Sequence, residues 1–304
     1  MNENIFREYD IRGIADTDLT DEYVGNIASA FATYSNKFNV KKICVGRDCR
    51  LSSERIFNAL TDKLIDYGIS IIDIGVVTTP VLYFSLFTMD VDGGIMITAS
   101  HNPSDYNGFK ASIGKNVLSS DEIQELKILI RKKDYIIPSL KGSMERVHMI
   151  DDYIDDLNKK ITISKKIRVG IDCANTPIGL FVKKVFTKLG CESHILFEEP
   201  DGNFPNHHPD PSIESNLSFL KDLVLEKKLD IGIAFDGDGD RLGVVDNEGN
   251  FISSDIILLI LAKSILLSNP KAKIIGEVKC TKVLFDEIQK SGGIPIMWLS
   301  LIHI

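Results

Sequence analysis

The sequence predicts an α/β fold spread over at least two domains, on three observations. The chain has 304 residues, more than one hydrophobic core of roughly 100–200 residues accommodates. Short β-rich runs alternate with segments whose apolar residues recur at helical spacing, the order that builds mixed or parallel sheets covered by helices. The alternation then restarts, near residues 166 and 254, as if one kind of unit had been laid down more than once.

Residues 42–46 (KICVG) carry the first buried-strand pattern, followed by a helix over 53–67 with Ile56, Leu60 and Leu64 at helical spacing. A strand over 70–74 comes next, then a helix around 82–87 started by Pro80, a residue suited to a first helical turn. A strand over 94–98 follows. Asp121 and Glu122 open a helix over 120–132, where carboxylates favour the positive end of the dipole. A polar stretch leads to a linker-like helix near 149–160. The second unit reads as strand 166–172, helix 179–189, strand 192–196, a long polar loop over 198–211, helix 215–227, and strands at 230–234 and 242–246. The third starts with the most apolar segment, 256–267, read as a buried helix with Ser253 or Ser254 as its N-cap. A strand at 273–277 and a helix at 282–291 complete it. Domain boundaries are expected at 1–148, 149–252 and 253–304, with the third domain incomplete, an edge of the strand at 273–277 unpaired and the helix at 256–267 poorly covered.

Hydrophobic residues make up 44% and charged residues 26% of the chain, which excludes disordered and fibrous classes. The net charge of −8, with no basic run, argues against nucleic acid or an anionic membrane as a partner. The five cysteines are scattered and form no Cys-x-x-Cys pair, so reduced thiols explain them better than disulfides or zinc. The first residues have neither the basic start nor the apolar run of a signal peptide. The 256–267 segment is too short for a membrane span. A cytoplasmic location is expected, and no pattern specifies an oligomeric state.

Two stretches carry chemistry. "TASHNP" (98–103) ends a strand in polar residues and a proline, which a surface turn would also do. "FDGDGDR" (235–241) sets Asp236, Asp238 and Asp240 at alternate positions between flanking strands. Carboxylates this close repel one another, and a hard divalent cation such as Mg²⁺ would offset the repulsion. Glycines at 237 and 239 let the chain curl around one point; an Asp-Gly hairpin turn is the plainer alternative. An EF-hand fails, because its sixth and twelfth positions hold Arg241 and Asn247. A haloacid-dehalogenase-type site with Asp236 as nucleophile is disfavoured by Asp240 at the next-but-one place. Ser100 and His101 do not make a hydrolase triad, since adjacent residues rarely present base to hydroxyl and no Gly-x-Ser-x-Gly elbow exists. A serine beside a three-Asp metal site can instead carry a phosphoryl group. Cations to meet that phosphate are available in strand ends and loops: Arg7, Arg12, Arg47, Arg50, Lys110 and Arg241.

Taken together, FREYDIRG (6–13), GRDCRLSS (46–53), TASHNPSDYNGFK (98–110), GNFPNHHPDP (202–211) and FDGDGDR (235–241) resemble the α-D-phosphohexomutase superfamily, in the family's order. The resemblance is closest to its phosphomannomutase/phosphoglucomutase branch and extends to about Gly293. It implies tandem α/β/α domains with mixed sheets and a Mg²⁺ cofactor. It implies that Ser100 is the phosphoserine and that Ser100, Asp236, Asp238 and Asp240 form the metal site. It further implies Arg12, Lys110 and Arg241 around the reacting hydroxyl, with Lys110 a general acid/base. His101 would orient the loop and Tyr9 would stand at the cleft edge. His207 and His208 are expected to be structural. The implied activity interconverts mannose or glucose 1- and 6-phosphates through a bisphosphorylated sugar. The pattern departs from the family after Trp298, where "LSLIHI" replaces the expected continuation, and the sugar-reading loop and fourth domain are missing. The expectation is a truncated or frame-shifted chain with little or no mutase activity. The competing expectations are a non-catalytic phosphosugar- or metal-binding remnant and an Asp236-dependent phosphatase.

Overall fold

The computed structural model describes residues 2–136 and 140–299. It begins with β1 (Ile11–Ile14) and α1 (Asp21–Ser35), two elements that the sequence reading passed over. Thr20 caps α1 by accepting a hydrogen bond from the Tyr23 amide, and Val24, Ile27, Ala28 and Phe31 are buried along one side. There follow β2 (Lys42–Arg47), α2 (Ser53–Asp66), β3 (Ser70–Val76), α3 (Thr79–Thr88), β4 (Gly93–Ile97), β5 (Tyr106–Ile113), β6 (Asn116–Val117), α4 (Ser120–Lys132) and β7 (Met144–Arg146). Their sheet has the order β1-β5-β4-β2-β3-β7, with β6 beside β5. β4, β2, β3 and β7 are parallel, whereas β5 runs antiparallel to both β4 and β1.

The second sheet repeats this design. After α5 (Ile150–Lys160) come β8 (Arg168–Asp172), α6 (Val182–Lys188), β9 (Glu192–Leu196), α7 (Ser218–Lys227), β10 (Ile231–Phe235), β11 (Leu242–Asp246) and β12 (Phe251–Ile252). The order is β12-β11-β10-β8-β9, parallel across β10, β8 and β9, with β11 antiparallel to β10. In each sheet a parallel strand (β4, β10) thus passes through a polar loop into an antiparallel neighbour (β5, β11). Both loops leave the carboxyl ends of parallel strands, where α/β proteins form sites.

One apolar core fills the space around α1, α2 and α4, with Phe31, Leu60, Leu64, Ile97 and Leu126 buried in it. A second core runs without a break from Leu82 of α3 and Met96 of β4, in the first unit, to Ile154 of α5, Ile171 of β8 and Phe181 before α6, in the second. Tyr153 bridges them, edge-on to Phe84 at 5.5 Å and to Phe181 at 6.0 Å. This shared layer fixes one sheet against the other and brings the two loops together.

The third unit comprises α8 (Ser254–Ser268), β13 (Lys273–Glu277), α9 (Lys282–Lys290) and β14 (Ile294–Trp298). β14 lies parallel to β13, with Ile274 opposite Pro295 and Gly276 opposite Met297, and among the described residues no strand pairs with the other edge of β13. Residues 294–298 (IPIMW) are apolar enough for a strand, and Pro295 is the one residue there that weakens the pattern. One expectation needs correction: α8 is a partly covered helix and not a buried one. Leu259, Ala262 and Leu266 are buried, whereas Ile260, Leu261 and Leu267 are exposed. Ser253 is its N-cap residue, as expected. The departure from the family pattern after Trp298 falls largely on 300–304, outside the described residues.

This division of the core predicts unequal effects along the chain. Leu64→Ala removes a fully buried side chain of α2 and should cost about 2–5 kcal/mol of unfolding free energy. Leu267→Gln, at the exposed end of α8, should stay within about 0.5 kcal/mol of the parent. Urea denaturation of both variants checks the contrast; equal losses would contradict the assigned packing.

Candidate active site

Ser100 follows β4 by three residues and is 2% exposed, with φ at 53°. Left-handed backbone is disfavoured for serine by roughly 1–2 kcal/mol, so something must hold it. The Ser100 amide donates to Thr98 Oγ1 (2.9 Å), and the Thr98 hydroxyl donates to Asp48 Oδ2 (2.7 Å). The same Asp48 oxygen accepts from Arg50 Nε at 3.0 Å. The rest of the Arg50 guanidinium donates to the carbonyls of Ser100 (2.8 Å), Asn102 (2.7 Å), Tyr106 (3.1 Å) and Pro103. A buried loop without regular structure leaves carbonyls in need of donors, and a guanidinium offers five in one rigid fork. The GRDCRLSS segment is therefore scaffold. This revises the sequence reading, which offered Arg47 and Arg50 as phosphate ligands. Arg50 is fully engaged, and Arg47 pairs with Asp73 (2.9 Å) and Glu54 (2.7 Å) while lying over the Phe57 ring.

The acidic loop reaches Ser100 from the second sheet. The Ser100 hydroxyl donates to Asp236 Oδ2 at 2.7 Å. Asp236 Oδ1 accepts the amides of Asp240 and Arg241, each at 3.0 Å. Backbone contact enforces this meeting. A Cβ at Gly237 would fall 2.0 Å from the Ser100 carbonyl oxygen, and Gly239 has φ of +72°. The Thr79 amide, at the start of α3, donates to the Asp238 carbonyl at 2.9 Å.

One oxygen from each of Asp236, Asp238 and Asp240 lies within 4.8 Å of the others. Sequence reasoning treated these charges as balanced by a metal alone. The structure adds Lys110, whose ammonium donates to Asp238 Oδ2 and to Asp240 Oδ2, both at 2.6 Å. YNGFK is not loop but strand β5, and its pairing with β4 sets Lys110 opposite Met96. Burial, together with Asp238 and Asp240, pushes the Asp236 carboxyl above the usual carboxylate range. Burial would raise Asp238 too, but the Lys110 ammonium outweighs it and holds Asp238 low. Burial likewise opposes the Lys110 charge, and the two carboxylates overcome it and raise its pKa. Asp238 Oδ1 remains buried with no partner. An oxygen-only donor set, three clustered carboxylates and one unsatisfied buried carboxylate oxygen fit a hard divalent cation.

Around this centre, Arg12 is 8% exposed and donates to Asn102 Oδ1 (2.6 Å) and to Asp10, with its Nε buried and unpartnered. His101 Nδ1 lies 3.3 Å from Ser100 Oγ. Burial and then the Arg241 charge keep the His101 pKa below its ordinary value. Arg241 Nε is 4.0 Å from Asp236 Oδ2, and its side chain is half exposed. Tyr9 is exposed and precedes Asp10, the partner of Arg12. The residues that sequence reasoning missed are Asp10, Asp48, Thr79 and Asn102. Asp10, Asp48 and Asn102 sat inside quoted motifs, but nothing in the spacing distinguished a loop anchor from a ligand.

His207 has a structural place, since its Nε2 lies 2.9 Å from buried Asp172 Oδ2 and its Nδ1 3.0 Å from the His208 carbonyl oxygen. Both partners are acceptors, which favours the doubly protonated ring. Burial would lower its pKa, but the Asp172 carboxylate outweighs this and raises it.

The chain is similar to known proteins in both sequence and overall structure. The family model "Phosphoglucomutase/phosphomannomutase, alpha/beta/alpha domain I" matches residues 3–136, and the corresponding domain II model matches 151–249. A Pseudomonas syringae pv. tomato protein named phosphomannomutase/phosphoglucomutase is 42% identical over 298 residues, covering 98% of this chain and 64% of that protein. A Neisseria gonorrhoeae phosphoglucomutase is 41% identical, covering 98% and 65%. The crystal structure of a phosphoglucomutase/phosphomannomutase family protein from Burkholderia thailandensis superposes with a TM-score of 0.93 at 37% identity, over 98% of this chain and 66% of that one. The chain thus spans about 64% of the length of the first of these relatives.

Two predictions come from the site. Gly237→Ala should drive the two loops apart and lower stability by about 1–3 kcal/mol. Gly25→Ala, inside α1 where the nearest atom to a new Cβ is 4.0 Å away, should be neutral or stabilising. Thermal melts separate the two, and matching behaviour would remove the close-approach argument. The second concerns pH. A histidine whose folded pKa is raised contributes stability that is complete below its unfolded value of about 6.5 and is lost as pH rises through the higher folded value. The stability gap between the parent and His207→Leu should therefore narrow from pH 5.5 to 8.5, as read by urea midpoints.

Proposed function

Because the chain belongs to the phosphoglucomutase/phosphomannomutase family, we propose that its site performs the phosphoserine chemistry of a phosphohexomutase, acting on glucose or mannose 1- and 6-phosphates. The observation that carries the reading is the 2.7 Å hydrogen bond from Ser100 Oγ to Asp236 Oδ2, which sets a nucleophile-type hydroxyl against the acidic cluster. Phosphorylated Ser100 gives its phosphoryl group to a free sugar hydroxyl, producing a bisphosphorylated sugar and the bare serine. The sugar turns over, and its other phosphate passes back to Ser100 Oγ. As Ser100 Oγ attacks that phosphate its proton passes toward the groups facing it, Asp236 and His101, and the departing sugar oxygen takes up a proton as its bond to phosphorus breaks.

The remaining residues have roles that follow from their charge and position. Arg12, with a buried nitrogen still unpaired, and half-exposed Arg241 supply positive charge for phosphate oxygens. Lys110 is the acid/base candidate for the sugar hydroxyl, and Tyr9 borders the opening. A Mg²⁺ ion held by Asp236, Asp238, Asp240 and the Ser100 oxygen would neutralise charge accumulating on the transferring phosphoryl group. Domain limits of 1–148, 149–252 and 253–304 accompany this reading, with the chemistry confined to the first two. No helix among the described residues is long and apolar enough to cross a membrane, which suits a cytoplasmic phosphosugar enzyme. An Asp236 nucleophile suits the geometry less well, because Asp236 is fully buried and both its oxygens are already engaged.

Incubation with glucose 1,6-bisphosphate and Mg²⁺ should add about 80 Da, acid-stable, to the Ser100 peptide. Ser100→Ala should abolish the increment without changing the melting temperature by more than a few degrees. An acid-labile phosphate on Asp236, or an unchanged increment in Ser100→Ala, would displace the serine from this role.

A further inference from the structure

Lys110 occupies an unusual position for a residue beside a cation site. It is 14% exposed, and its ammonium lies 2.6 Å from Asp238 Oδ2 and 2.6 Å from Asp240 Oδ2. Two of the three carboxylates that would ligate a divalent ion are therefore already held by a monovalent one. Asp238 is fully buried, so water does little to screen these charges. A Mg²⁺ ion binds carboxylate oxygens at about 2.0–2.1 Å and tolerates little distortion. An ammonium hydrogen-bonded to those same oxygens competes for their lone pairs and repels the incoming charge. Lysine's flexible four-carbon stem also allows it to withdraw.

We propose that Lys110 is the resident counter-ion of the metal-free site, and that a divalent cation binding at Asp236, Asp238 and Asp240 displaces its ammonium from Asp238 and Asp240. The proposal rests on the cation-site reading of the three aspartates. It explains how the fully buried Asp238 carboxylate is accommodated without metal, since either the Lys110 ammonium or the divalent ion faces it. It also makes metal loading and lysine release a single exchange. The released ammonium leaves its carboxylate partners beside the Ser100 loop, where a phosphoryl oxygen is the acceptor that replaces them. Cation binding and phosphate binding are then coupled through one side chain, in both directions.

Two measurements on the 304-residue protein test this, and neither requires turnover. In calorimetric Mg²⁺ titrations, Lys110→Met should bind roughly tenfold more tightly than the parent, because the competing charge is gone. Lys110→Arg should bind no more tightly than the parent. In the parent protein, labelling of Lys110 by an amine-acetylating reagent, followed by peptide mass spectrometry, should rise on addition of Mg²⁺. Unchanged or weaker Mg²⁺ binding by Lys110→Met, with Mg²⁺-independent labelling in the parent, would overturn the exchange and leave the cation site standing. Absence of Mg²⁺ binding in both parent and Lys110→Met would overturn the cation-site reading and the exchange together.

Discussion

The organisation of this protein depends on the apolar layer shared by its two sheets, because that layer brings two loops together, Ser100 to Asp236 and Gly237. The hydrogen-bonded residues are 136 positions apart and belong to different sheets. A bond of this kind contributes only about 1 kcal/mol net, so it cannot orient two domains. The orientation comes from the apolar layer running through Leu82, Met96, Ile154, Ile171 and Phe181. Near the loops, backbone contacts refine it. A Cβ at Gly202 would lie 2.6 Å from the Cys49 carbonyl oxygen, and Arg50 covers the Phe204 ring at 5.2 Å. Hydrophobic burial supplies the force, glycines permit the approach, and hydrogen bonds set the register.

Buried charge is the second constraint, and it is satisfied locally. Arg50, Asp48, Arg47, Asp73, Asp236 and Asp238 are all nearly or fully inaccessible. Each charge left unpaired in such surroundings would cost several kcal/mol. Pairing is accordingly close: Arg50 with Asp48, Arg47 with Asp73, Lys110 with Asp238. The cations thereby divide into two groups. Arg47 and Arg50 have their donors spent on protein and hold the fold. Arg12 and Arg241 retain unspent donors or solvent exposure and face the site. That division, and not the arginine count, separates the cations spent on the fold from those with donors to spare.

The same division marks how far the sequence could be read. The alternation of strands and helices, and the second sheet in particular, followed from hydrophobic spacing. The three aspartates stood out because carboxylates at alternate positions repel one another unless a cation is present, and Ser100 because its motif, beside that acidic loop, completes the resemblance to the family. β1 and α1 were missed because arginine and small residues dilute their apolar pattern. β5 looked like loop because Asn107, Gly108 and Lys110 are poor strand formers. Pairing on both sides overrides that weak preference. Lys110's carboxylate partners are 128 and 130 residues away, a separation at which local pattern carries no information.

The site also concentrates the fold's departures from comfortable geometry. Ser100 is in the left-handed region, and Arg12 Nε and Asp238 Oδ1 are buried without partners. Each unsatisfied polar atom costs about 1–3 kcal/mol. Departures of this kind persist only where surrounding contacts over-determine the structure. Here the surroundings are identifiable: four carbonyls held by Arg50, the Thr98–Asp48 relay, and the apolar layer beneath. A site relaxed into ordinary geometry would have its donors and acceptors already paired and nothing left for a phosphate or a cation. The unpaired Arg12 nitrogen and Asp238 oxygen are complementary to those two ligands. The stability lost at the loops is thus retained as binding capacity, held in place by rigid strands on either side.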